Sequence, residues 1–304
     1  MLKKILITGA GGMLGREITD IFSKDKKYAV FGTIRSVEPN KSGINYIKAD
    51  LRKLGNLKKI VSAVKPDIII HCAALVNLDK CEKNKREANL VHIEATKILA
   101  SYKKNKTKFV YISTDSVFNG KTGNYTESSR PNPLNHYSQS KLLGEKAALA
   151  INKNSLVVRM CIYGFHIPPG NSLAEWALDN FALKKPINGF TDAFFNPVYT
   201  KQLAQTVKYI LEKKKITGIL NIGSEKPISK CAFLKALAKN FKINPKLIVV
   251  ASIDSSGLAT ARPKNTVLNT DKLKRVLGGK ILKISDGLAA LEKDYLKEFG
   301  IIRQ

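Results

Sequence analysis

Residues 136–141, "HYSQSK", place Tyr137 four positions before Lys141. On a helix such residues share a face, so a phenol and an ammonium could act there as one unit. Tyrosine near its unperturbed pKa of about 10 exchanges protons poorly at neutral pH, and a nearby cation stabilises the phenolate and lowers that value. The spacing alone is weak evidence. The chain has 10 tyrosines in 304 residues and is rich in lysine, and Tyr102/Lys106 and Tyr209/Lys213 repeat the interval. Those two pairs fall near the polar ends of helical patterns and are expected to be solvated.

A second constellation is "ITGAGGMLG", which sets Gly9, Gly12 and Gly15 directly after an apolar β-type run and at the opening of a helical pattern. Glycines there allow backbone N–H groups to approach a pyrophosphate, and the helix N-terminus adds partial positive charge. Gly11, Met13 and Leu14 complete that loop. At the end of the second strand a carboxylate would suit the ribose hydroxyl of NAD, whereas arginine accommodates the phosphate of NADP. The chain has Arg35 there and no acid before Glu38, which favours NADP(H) over NAD(H). Asp50, with Leu51 beside it, is placed for the adenine amino group, and Cys72, Ala73 and Ala74 complete the expected cofactor contacts.

The elements that must position these residues alternate. "KKILITGA", "YAVFGTIR", "INYIKAD", "PDIIIHCAA", "KFVYISTD" and "SLVVRM" are β-rich runs, several almost continuously apolar as in buried parallel strands. Helical patterns separate most of them, including 83–104 and the stretch from Asn135 to Ile151. This predicts an α/β protein: a Rossmann-type, doubly wound parallel sheet with a smaller C-terminal α/β substrate-binding lobe. Residues 1–160 form the expected NADP-binding domain, with 198–223 returning to it, and 161–304 mainly the substrate-binding lobe.

The formal net charge is +28, with 52 Lys and Arg against 24 Asp and Glu. The basic residues are mostly lysine and are dispersed, so nucleic acid is not expected as a partner. The field would still steer anionic small molecules such as nucleotides. Cys72, Cys81, Cys161 and Cys231 lack metal-ligand spacing, so we expect reduced thiols, no structural metal and a cytoplasmic location. No apolar run is long enough to span a membrane, and the first residues suit a strand better than a signal peptide.

With "HCAALVNLDKCE", "YISTDSVFNG", "PLNHYSQSKLLGE", "VVRMCIYG", "PGNSLAEW", "NPVYTKQLA" and "ARPKNTVLNTDKL" following the glycine loop in order, the chain resembles the extended short-chain dehydrogenase/reductases. More narrowly it is similar to the dTDP-4-dehydrorhamnose reductase family, essentially end to end. The resemblance implies that Thr114 polarises a substrate carbonyl, Tyr137 is the general acid and Lys141 holds the nicotinamide ribose. It implies substrate contacts from Asp79, Glu82, Asp115, Ser116, Arg262 and Asn265, with helix-terminal or surface ion-pair roles as the alternatives. His71 and His136 are expected to be structural. The implied reaction is NADPH-dependent reduction of a nucleotide-linked 4-keto-6-deoxy sugar, dTDP-4-dehydrorhamnose to dTDP-L-rhamnose. Alternatives are reduction or epimerisation of another nucleotide sugar, such as a UDP-linked one, or a non-catalytic regulatory subunit. A homodimer is compatible with the resemblance. The chain departs from the family at Val76, His92, Ser116 and Cys161, which touches the substrate side and leaves Thr114, Tyr137 and Lys141 in place.

Overall fold

The computed structural model describes residues 1–35 and 42–300. In the first half, strands β1 (Lys3–Thr8), β2 (Tyr28–Ile34), β3 (Ile44–Lys48), β4 (Ile68–His71), β5 (Lys108–Ile112) and β6 (Ser155–Met160) alternate with helices. The helices are α1 (Met13–Ser23), α2 (Leu54–Val64), α3 (Leu78–Lys83), α4 (Lys85–Asn89), α5 (Ala95–Ser101) and α6 (His136–Ile151). Later come β7 (Ile162–Tyr163), α7 (Leu173–Ala182), β8 (Ile187–Phe190), β9 (Phe194–Phe195), β10 (Val198–Tyr199), α8 (Thr200–Lys213) and β11 (Gly218–Ile222). The chain ends with β12 (Ile228–Ser229), α9 (Lys230–Asn240), β13 (Ile248–Ala251), α10 (Asp271–Val276) and α11 (Ile284–Phe299).

Seven strands form one parallel sheet in the order β11-β6-β5-β4-β1-β2-β3. Strand alternation divides its apolar residues between two faces. Ile5, Ile7, Val110 and Ile112 pack on one side with Ile18 and Phe22 of α1 and Leu203 and Val207 of α8. Leu6, Phe109 and Tyr111 pack on the other with Val61 of α2, Leu99 of α5 and Ala148 of α6. The order in which strands are added reverses between β1 and β4, so their carboxyl ends open the crevice at which such sheets bind ligands.

A third apolar cluster joins Phe165, Leu178, Phe195, Phe233, Leu237 and Leu291. It lies beneath three two-stranded ribbons, β10-β7, β12-β9 and β13-β8, so the second half has its own core.

The helical run after β4 differs from the expected 83–104. It starts at Leu78, because Asn77 caps it by accepting from the Lys80 N–H at 2.9 Å. It then widens into a π-helical turn at Leu90–Glu94. There the His92 carbonyl accepts from the Thr96 hydroxyl at 2.7 Å and the Tyr111 hydroxyl at 3.3 Å. The run ends at Ser101, where Tyr102 turns extended. Among the described residues no helix is long and apolar enough to cross a membrane.

Candidate active site

The loop after β1 is shaped for a diphosphate. Gly9 has φ +70°, and a Cβ on Gly15 would lie 2.0 Å from the Gly9 carbonyl oxygen, so only glycine lets α1 approach so closely. Gly12 precedes α1 without a side-chain cap. Helix geometry leaves the first N–H groups, those of Met13, Leu14 and Gly15, without intrahelical acceptors, and Gly11 and Gly12 are exposed. Uncapped donors, a positive helix end and exposed glycine backbone together suit a dinucleotide pyrophosphate.

Other expected cofactor residues border the same crevice. Gly9 abuts Ala73: an added Cβ would come within 2.8 Å of its backbone. Cys72 and Ala74 flank that contact, and the Cys72 thiol is pushed up to about 12 by burial. Arg35 is exposed at the end of β2; Glu38, weighed against it for the ribose, lies outside the described residues. Asp50 differs from the simple expectation. Its two oxygens are taken by the Arg52 guanidinium, Nη2 at 2.6 Å and Nε at 2.9 and 3.0 Å. These bonds hold its carboxyl below the usual range, so an adenine amino group would share an occupied acceptor. Leu51 is buried behind it.

Thr114, Tyr137 and Lys141 meet where β5 ends against α6. Asn135 caps α6, accepting from the Ser138 N–H at 2.9 Å. Gly144 lets the helix lie on the sheet: an added Cβ would fall 2.2 Å from the Tyr111 hydroxyl. That close approach lets the buried Lys141 ammonium donate to the Ile112 carbonyl oxygen at 2.5 Å and sit 4.2 Å from the Tyr111 ring centre. Burial lowers its pKa to about 7, opposed chiefly by Glu145. The Tyr137 phenol is pushed well above its ordinary value by burial, opposed by hydrogen bonding with Thr114.

This corrects the expectation that Lys141 lowers the phenol's pKa. Within the protein, burial raises the phenol's pKa and the neighbouring Asp115 adds to the rise, while the ammonium faces a carbonyl and another ring. The phenol is therefore held protonated, the form a proton donor needs.

His71 and His92 are neutral, because burial lowers both pKa values. His92 accepts the Leu75 N–H through Nε2 at 2.9 Å, which leaves Nδ1–H to donate to the Ser140 hydroxyl at 2.8 Å. Its ring meets Tyr137 edge-on at 5.7 Å. The Thr8 hydroxyl lies 2.6 Å from Nδ1 of His71, whose Nε2 is 3.3 Å from the Val91 carbonyl oxygen. His136 begins α6, its Nε2 3.1 Å from Asn89 Oδ1.

Next to Thr114, Asp115 is buried. Its carboxylate accepts from the Thr266 hydroxyl at 2.5 Å and from the Thr114 and Ser116 hydroxyls, each at 3.2 Å. Burial raises its pKa against these donors. Asp79 accepts from the Thr260 hydroxyl, and Glu82 from the His136 N–H at 2.6 Å, so both carboxylates hold segments together around the opening. Arg262 is exposed. Asn265 lies against Gly123, and its own N–H donates to the Gly120 carbonyl oxygen at 3.1 Å; its side chain supports the loop. Val76 is exposed, and Cys161 is half-buried, its thiol pushed up to about 12 by burial.

Sequence reasoning missed three participants. Glu145, one further turn along the Tyr137/Lys141 face, forms a fully buried pair with Arg159 at 2.7 Å; its spacing was a readable signal. Thr266 and Lys230 approach Asp115 from distant segments and left no local signal. Among the described residues no cluster of three His, Cys, Asp or Glu side chains is placed to hold a metal ion.

A seven-stranded parallel sheet in this order, a glycine loop after its first strand and a Tyr/Lys pair beside its fifth define an extended short-chain dehydrogenase/reductase fold. The chain belongs to the family described as "RmlD substrate binding domain", whose model matches residues 3–297. It is 27% identical to a probable low-salt glycan biosynthesis reductase, Agl14, of Haloferax volcanii, over 94% of this chain and 96% of that one. It is 29% identical to methionine adenosyltransferase 2 subunit beta of Xenopus tropicalis, over 90% of this chain and 82% of that protein. The crystal structure of a hypothetical dTDP-4-dehydrorhamnose reductase from Sulfolobus tokodaii superposes with a TM-score of 0.82 at 28% identity, covering 93% of this chain and 98% of that one.

Proposed function

We propose that this protein is an NADPH-dependent reductase of the 4-keto group of a nucleotide-linked 4-keto-6-deoxy sugar, with dTDP-4-dehydrorhamnose as substrate and dTDP-L-rhamnose as product. The observation that carries this reading is the meeting of Thr114, Tyr137 and Lys141 at the carboxyl edge of the sheet, next to a glycine loop with uncapped donors. Gly9, Gly11, Gly12, Met13, Leu14 and Gly15 would hold the pyrophosphate, Arg35 the 2′-phosphate, and Lys141 the nicotinamide ribose. Bound NADPH would supply a hydride to the ketone carbon. Thr114 hydrogen-bonds the carbonyl oxygen, and Tyr137, held protonated by burial, delivers its proton to the developing alkoxide. The lobe formed mainly by 161–304, with Asp79, Glu82, Asp115, Ser116, Arg262 and Asn265 around its opening, receives the sugar nucleotide.

The test is NADPH oxidation with a panel of dTDP- and UDP-linked 4-keto sugars. Turnover of the dTDP-linked 6-deoxy substrate above the others supports the full reading; turnover of a UDP-linked one alone moves the assignment to that sugar. The 29% identity to methionine adenosyltransferase 2 subunit beta favours a second reading, a non-catalytic subunit that binds the dinucleotide. Tight NADPH binding without turnover of any panel member would favour it.

A further inference from the structure

Lys230 opens α9, and its ammonium lies 3.3 Å from the centre of the Phe195 ring. Its own N–H donates to the Ala193 carbonyl oxygen at 2.8 Å, and Ile228 pairs with Phe195 in the ribbon just before it. The root of the side chain is thus anchored on both sides. The Thr266 N–H donates to the Phe194 carbonyl oxygen at 2.9 Å and its hydroxyl to Asp115 at 2.5 Å, while the Thr114 hydroxyl donates to the same carboxylate at 3.2 Å, which ties the Lys230–Phe195 pair to the segment that carries the phenol's partner.

This cation is underused by the protein. Among the described residues it has an aromatic face but no ion-pair partner. An aromatic ring replaces only part of the hydration of an ammonium. Asp115, the neighbouring acid, already accepts from three hydroxyl groups. Burial lowers the Lys230 pKa, and the nearby Arg262 guanidinium opposes its charge further. Two cations share a cleft whose one nearby carboxylate is committed elsewhere, an arrangement that an added anion relieves.

We propose that Lys230, with Arg262, forms an oxyanion subsite in this cleft and receives a phosphate or carboxylate oxygen of the substrate. The proposal rests on the nucleotide-sugar reading and names a specificity-determining residue for it. Lysine acts as a compact point charge and serves either oxyanion. The two sources, the diphosphate of the nucleotide and a carboxylate on the sugar, are separated by probes.

Calorimetric titration of the NADPH-loaded protein with inorganic pyrophosphate, dTDP, UDP-glucose and UDP-glucuronate tests it, in wild type, Lys230→Met and Lys230→Arg. The Met variant should weaken binding roughly 10- to 100-fold, as expected for losing a hydrogen bond to a charged group, and the Arg variant should recover most of it. Loss for pyrophosphate and dTDP identifies the diphosphate as the source. Loss confined to UDP-glucuronate identifies the sugar carboxylate. Equal affinity of wild type and Met variant for every probe overturns the subsite. Wild-type binding of pyrophosphate but of no nucleotide, lost in the Met variant, supports the subsite and sinks the nucleotide-sugar reading; no binding of any probe overturns both. Unchanged NADPH affinity and thermal unfolding midpoint show that the variants are folded, and Lys230→Gln serves if the Met variant lowers that midpoint.

Discussion

Lys141 donates its ammonium to the carbonyl oxygen of Ile112 at 2.5 Å, while Tyr137, one helical turn earlier, lies under separate control. The lysine titrates near pH 7 in the folded chain against an ordinary 10.5. Reduction requires a protonated phenol, which burial secures, so the basic limb belongs to Lys141. For the free enzyme, kcat/KM for reduction should be level on the acid side and fall about tenfold per pH unit above about 7. A rate level to pH 9 would exclude this assignment. The same shift affects stability: between about 7 and 10.5 the unfolded chain binds the proton more tightly. Lys141 therefore makes folding less favourable at neutral pH than at pH 10.

Tyr137→Phe removes the donor and leaves the ring against His92. Turnover should fall roughly 100- to 10,000-fold, with NADPH affinity within about twofold of wild type as measured by fluorescence titration. Retained turnover would show that another group delivers the proton.

Arg35→Ala tests the cofactor. Loss of one charged hydrogen bond to the 2′-phosphate should weaken NADPH binding roughly 10- to 100-fold and leave NADH within about twofold. Equal losses for both dinucleotides would reject the NADP(H) assignment.

Glu145→Gln leaves the fully buried Arg159 without its carboxylate. Breaking one side of a buried ion pair costs about 3–5 kcal/mol, to be read from urea unfolding. The Lys141 pKa should also fall, because Glu145 is the main group holding it up. A loss under about 1 kcal/mol would mean that the site relaxes around the uncompensated guanidinium.

His71 and His92 are buried and neutral, and burial lowers both pKa values, to about 3 for His71, from 6.5. Their contribution to stability is complete above about pH 6.5 and is lost as pH falls, because the unfolded chain protonates first. Each imidazole should remove about 1.4 kcal/mol per pH unit between pH 6 and 4. In urea unfolding across that range, His92→Asn should show a shallower decline than wild type; an unchanged slope would locate the acid sensitivity elsewhere.

Much of the fold was legible because its signals are local. Apolar runs marked β1 to β6, and the glycine loop and α1 follow one another along the chain. The helix after β4 was displaced in the reading because its start depends on the Asn77 cap and its π-helical turn on a hydroxyl from Tyr111, features that apolar periodicity does not report. Asn265 is legible as a motif residue, yet its packing against Gly123 is a contact between distant segments.

The sequence by itself marked the glycine loop between β1 and α1 and the Tyr137/Lys141 spacing on α6, since a strand, a glycine turn, a helix and an i, i+4 interval are short-range facts. Only the tertiary structure decided what those groups do electrically. Closing α6 onto β5 through Gly144 buries Lys141 and half-buries Tyr137, and desolvation then sets their proton affinities. It also decided that Thr266 donates to Asp115 and that Lys230 lies over the Phe195 ring, contacts between segments far apart in the chain. Burial and long-range approach depend on how the chain closes on itself, which no local spacing encodes.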